Sequence, residues 1–125
     1  MQTTCDLMCG LVLELNRRFH ARYGQAGGGH VRRATAKLGG GVVAVTLYTN
    51  RPYQWSPAAV GGMFRAVVRV RIEGDDLVAV PHSPVLKCLR ERKACLTEPG
   101  FDTVAWVQSL AAEAERVLVQ KLTGT

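Results

Sequence analysis

Four cysteines, three histidines and a few hydroxyl and carboxylate side chains are the residues able to do chemistry in this chain, and their spacing decides what that chemistry is. Cys5 and Cys9 are four apart near the start of a helical stretch. Cys88 and Cys95 are seven apart, and each pair would share one helical face. If the two faces met, Cys5, Cys9, Cys88 and Cys95 would supply a four-thiolate metal site, with His82 as a substitute ligand. Neither pair has the close Cys-x-x-Cys spacing of such sites. The reading preferred from sequence is therefore four free thiols packed as small apolar side chains, with no cofactor and no metal. A setting inside the cell also disfavours disulfides.

Nucleophilic catalysis finds less support. Ser83 follows His82 directly, but sequence neighbours rarely face one another, and no Gly-x-Ser-x-Gly elbow is present. Cys88 or Cys95 with His82 is the remaining nucleophile and base pair, and nothing further in the sequence organises it. Asp75 and Asp76 fit the turn they occupy. The three consecutive glycines within residues 25–29 follow a helix rather than a strand and lack a Lys-Ser or Lys-Thr after them, so they read as a connector and not as a phosphate loop. These residues predict no catalytic group, and a non-enzyme is expected.

Arg51, Tyr53 and Trp55 lie in a proline-containing loop over residues 50–62. A loop of this kind stacks a base and holds its phosphate, presents aromatics to a protein partner, or folds back over the core. Arg65, Arg69 and Arg71 alternate with Ala66, Val68, Val70 and Ile72, so one face of this strand is dry and the other charged. Lys87 and Arg90 add to the basic surface. The net charge of +6 suits a polyanion, yet it also lies within what keeps a domain of this size soluble.

These residues sit on elements that the pattern itself outlines. With 125 residues, 47% hydrophobic and 21% charged, the chain reads as one folded domain over residues 1–125 rather than a disordered one. A first helix is expected over residues 6–23, capped by Thr3 or Thr4, with Met8, Leu11, Val12, Leu15 and Phe19 as its buried stripe. Strands are expected over residues 31–38 and 42–49, then 65–73 and 77–80 around a Gly74-Asp75 turn. Ser83 and Pro84 open a short basic helix over residues 85–96. A long helix capped by Asp102 closes the order, over residues 103–122.

The architecture expected is α+β, a single antiparallel sheet of about four strands with an N-terminal helix, a short helix and a long C-terminal helix packed mainly on one face. The last helix carries two apolar strips. Val104, Val107, Ala111, Ala114, Leu118 and Leu122 form one, and Trp106, Leu110 and Val117 the other. Either both are clasped within the domain or the second meets another copy. The leading expectation is an assembly or adaptor subunit that works through protein contacts, self-associating or joining another subunit through Tyr53, Trp55, Trp106, Leu110 and Val117. The alternative is a nucleic-acid binder using Arg51, Arg65, Arg69, Arg71, Lys87 and Arg90. No membrane partner is expected, because no apolar run reaches the length of a span, and the location expected is cytoplasmic or otherwise intracellular.

Overall fold

The computed structural model describes residues 3–24, 30–52 and 63–123, the side chains of residues 50–52, 63 and 64 excepted. Helix α1 spans Thr4–Tyr23. Thr3 caps it: its hydroxyl oxygen accepts the Asp6 N–H at 3.1 Å, and the Asp6 carboxylate reaches back to the Thr3 N–H. A reciprocal box of this kind satisfies two orphan donors and is worth about 1 kcal/mol. At the other end the Gly24 N–H donates to the His20 carbonyl at 2.7 Å, and a Cβ on Gly24 would run into that same oxygen. Glycine is required there by space.

Five strands follow as a meander in chain order, β1 (Val31–Gly39), β2 (Val42–Pro52), β3 (Met63–Glu73), β4 (Asp76–Pro81) and β5 (Arg92–Cys95), each antiparallel to the next. The β1–β2 turn is Gly40-Gly41 with φ of 59° and 76°, the doubly left-handed pattern of a type I′ hairpin. Gly74 at φ 60° opens the β3–β4 turn before Asp75, as in type II′. Helix α2 spans Thr103–Thr123, and the Asp102 carboxylate accepts the Ala105 N–H at 3.1 Å.

The sequence predicts about four strands, and the structure has five. The difference lies in residues 85–96, where helix stops after a single 3-10 turn, Pro84–Leu86, and Arg92–Cys95 pairs with β4 instead. Leu86 is drawn fully into the core against α2, and that fixes the chain's direction there. Without β5 the outer edge of β4 would hold unpaired backbone groups, so the ladder overrides the weak helical pattern of this stretch.

Both helices cover the same side of the sheet. Met8, Leu11, Leu15 and Phe19 of α1, and Val107, Leu110, Ala111, Ala114, Val117 and Leu118 of α2, join Val43, Val45, Leu47, Ala66, Val68, Val70, Leu77 and Ala79 in one core. Ala111 and Ala114 let the α2 backbone approach the sheet closely. Polar ties then lock the helices to each other. Arg18 donates to the Gln108 side-chain oxygen at 2.6 Å, and Glu115 accepts from the Tyr23 hydroxyl at 2.6 Å and from Arg22 at 2.9 Å. Burial, aided by this bond to a carboxylate, pushes the Tyr23 phenol up to about 12.

Edge strand β1 is closed by a single residue of α1. Asn16 donates to the Ala36 carbonyl at 2.9 Å and accepts the Ala36 N–H at 2.8 Å, occupying the outward backbone groups a foreign strand would use. The opposite edge, β5, is only four residues long. Each edge thus carries a feature that resists addition of a partner strand.

Candidate partner-binding face

Antiparallel register places side chains that lie opposite one another on the same face, so the uncovered face can be read row by row. Arg33, Tyr48 and Arg65 form one row; Lys37, Ala44, Arg69 and Val80 another; Val42, Arg71, Val78 and Lys93 a third; Glu73, Asp76 and Cys95 close the end. Thr35, Thr46 and Val67 lie between the first two. Among the described residues no helix or strand packs on this side. Its strands carry Arg33, Lys37, Arg65, Arg69, Arg71 and Lys93 against the carboxylates of Glu73 and Asp76, and Glu91 reaches Arg71 from before β5.

A bulge at the start of β1 shapes the corner of the face. Val31 pairs with Thr49 and Arg33 with Tyr48, so Arg32 is the extra residue, and Val31 turns to the core with Ala34 and Ala36. Strict alternation assigned Val31 to the side of Arg33. The bulge reverses that and leaves Arg32 and Arg33 both exposed.

Electrostatics distinguish the cations of the face. Arg71 is partly neutralised, at 3.0 Å from Glu73 and 3.9 Å from Glu91. Arg65 and Arg69 are exposed, and neither forms an ion pair among the described residues. Glu113 and Glu115, acidic candidates for relieving this charge, lie on the other side of the sheet, where Glu113 pairs with Arg92 at 2.8 Å and Glu115 with Arg22 at 2.9 Å.

Tyr48 senses this potential. The Arg33 guanidinium lies over its ring, 4.4 Å from the centroid. Burial alone would raise the phenol, but a hydrogen bond with Thr35 and the positive charges of Arg33 and Lys37 outweigh it and hold the group below its ordinary value. A phenolate absorbance titration is expected to show Tyr48 ionising below an ordinary tyrosine, and Lys37→Met to move it upward. A midpoint insensitive to residue 37 would show that the face's charge does not reach the phenol.

Apolar side chains separate the cations. Val42, Ala44, Val67 and Val80 are half-buried, and Val78 is fully buried although it lies outside the core on the helix side. Val78 sits in its row between Arg71 and Lys93, and long basic side chains can shield a valine with their stems while keeping their charge in water. Neighbouring strands are about 4.8 Å apart and strand residues about 3.3 Å, so Lys37 lies roughly 10 Å from Arg69, and Arg65 roughly 13 Å from Arg69 along β3.

Compared with family models, curated proteins and solved structures, the chain matches none.

The structure gathers some of the residues singled out by sequence and scatters others. Arg65, Arg69 and Arg71 share the open face. Arg90 does not: it lines a shallow hollow with Val68, Leu110 and Glu113 on the helix side, and Lys87 follows the 3-10 turn that packs against α2. Arg51 lies in β2, its side chain outside the described residues, as are Tyr53 and Trp55 altogether. Leu110 and Val117 are core residues, and Trp106 is half-buried against that core with its ring edge-on to Phe101, centroids 6.1 Å apart. The second strip of α2 is therefore clasped within the domain, and the apolar surplus that pointed to another copy is absent there.

The cysteines also differ from expectation. All four are exposed, where the sequence reading packed them as buried side chains. Cys5 and Cys9 lie on the side of α1 away from Met8, Leu11 and Leu15, while Cys88 and Cys95 share no helix, Cys88 falling in a turn and Cys95 in β5. The four thiols form no common site, and among the described residues no group of three or more His, Cys, Asp or Glu is placed to hold a metal. The Ser83 hydroxyl oxygen accepts the Val67 N–H at 2.8 Å, beside the bond in which the His82 N–H donates to the Val67 carbonyl at 2.9 Å, and so extends the β3–β4 pairing. Its task is structural. Among the described residues, no helix is long and apolar enough to cross a membrane.

Arg33, Lys37, Tyr48 and Lys93 belong to the face and were not grouped with the arginines of β3 by sequence reasoning. The alternation of β1 and β2 carried a signal for Arg33, Lys37 and Tyr48. Their meeting with the β3 arginines depends on the β2–β3 register, and the place of Lys93 on β4–β5 pairing, and neither glycine turn fixes these.

Proposed function

We propose that the protein is a non-enzymatic adaptor whose open sheet face docks an acidic, partly apolar protein surface. The observation that carries this reading is the alternation on that face of Arg65 and Arg69, unpaired among the described residues, with the half-buried Val67 and Val80. A mixed surface of this kind favours a partner that offers separated carboxylates and aliphatic groups, since burial of the valines adds a term that charge alone does not supply. Nucleic acid would meet the same cations. Sheet faces that bind single strands rely on exposed aromatic platforms, however, and the one aromatic of this face among the described residues, Tyr48, is already covered by Arg33.

Titrating a labelled peptide of alternating glutamate and leucine, an all-glutamate peptide of equal charge and a single-stranded oligonucleotide of equal charge tests the reading. The mixed peptide is expected to bind tightest, and Arg65→Glu with Arg69→Glu to weaken it by about tenfold or more, as for reversal of two charges at an interface. Tighter binding of the oligonucleotide, with affinity that falls steeply in salt and is abolished by the same substitutions, would replace the protein partner with a polynucleotide.

A further inference from the structure

Cys5 and Cys9 lie one helical turn apart in the first part of α1, both exposed, with their sulfurs 3.9 Å from each other. The adaptor face does not use them, since they lie on the solvent side of α1. From this pair we infer a two-coordinate site for a soft monovalent metal ion, with copper(I) as the ligand and the two thiolates as its sole protein donors.

The geometry separates this from the other fates of a thiol pair. Side chains four apart on a helix have Cβ atoms about 5–6 Å apart, whereas a disulfide needs about 3.5–4.5 Å, so oxidation would deform the first turns of α1. Zinc requires four ligands, and among the described residues no third or fourth donor is in place. A linear ion sets its two sulfurs two metal–sulfur bonds apart, somewhat beyond the observed 3.9 Å, and small side-chain rotations open the pair to that spacing. Soft thiolates select copper(I) among the metals that accept this geometry.

Charge and access favour the same occupant. Two thiols lose two protons on binding, and the resulting bis-thiolate complex carries one net negative charge at the positive end of the helix dipole. A Cβ built on Gly10 meets nothing, and Leu13, one turn beyond Cys9, is 73% exposed. This bare strip leaves the sulfurs open to a thiol or thioether carrier delivering the ion.

Reduced full-length protein, loaded with copper(I) under anaerobic conditions and examined by native mass spectrometry and by competition with a chromogenic copper(I) chelator, tests the inference. One ion per chain is expected, lost with either Cys5→Ser or Cys9→Ser and kept in the double variant Cys88→Ser, Cys95→Ser. All three variants are exposed substitutions, and circular dichroism confirms their folding. A chain that retains no copper, or keeps it without Cys5 or Cys9, overturns the assignment, and so does equal retention of zinc by that pair.

Discussion

Replacing Leu110 by alanine is expected to cost about 2–5 kcal/mol of unfolding free energy, the range for truncating a buried leucine, and to leave the oligomeric state of the folded protein unchanged. Leu110 is only 7% exposed and lies in the core with α1 and the sheet. Truncation removes its transfer free energy and leaves a void that helix and sheet close only in part. An interface residue would behave in the opposite way, shifting the monomer–oligomer equilibrium while the isolated chain kept its stability. Urea denaturation gives the first quantity and sedimentation equilibrium the second. A dissociated but equally stable variant would return the second strip of α2 to a subunit interface.

Asn16→Leu is expected to be costly despite its conservative volume. The substitution keeps the packing of α1 on β1 but strips the Ala36 N–H and carbonyl of both partners, which lie 2.8 and 2.9 Å away in the native protein. Leaving a polar group unsatisfied costs about 1–3 kcal/mol when water is excluded, and these groups are part-buried, so a total of about 2–4 kcal/mol is expected. The exposed ladder should also recruit other chains. Denaturation measures the first effect, and light scattering of the folded variant the second. Asn16→Asp keeps an acceptor for the Ala36 N–H and should recover part of the loss. Equal stability of the Leu variant would show that the clamp contributes nothing to holding the edge.

The legibility of this chain follows from how locally each feature is determined. The charged and dry faces of β3 are readable because Arg65, Arg69 and Arg71 alternate with buried neighbours, and both hairpin turns carry glycine where a positive φ is needed. The caps Thr3 and Asp102 are equally local. Strand β5 is not: Arg92–Cys95 has no strand pattern of its own and pairs because β4 needs a neighbour. The burial of Leu110 and Val117 depended on where α2 crosses α1 and the sheet, which spacing along one helix does not reveal. The cysteines are a different case, since Cys5 and Cys9 fall off the Met8, Leu11 and Leu15 stripe on any helical projection. A general tendency of cysteine to be buried outweighed a positional signal already present.

The meander has a kinetic consequence. Each strand pairs with its successor, and the β1–β2 and β3–β4 registers are set by two-residue turns whose closure entropy is small, so those two hairpins can form early. The helix clasp is the reverse, since the tie from Arg22 to Glu115 spans 93 residues and that from Arg18 to Gln108 spans 90. Until it closes, a folding chain holds paired strands beneath a half-covered apolar layer. That late species, rather than the native protein, is where self-recognition between chains has its widest opening, and its lifetime is governed by how quickly α2 finds α1.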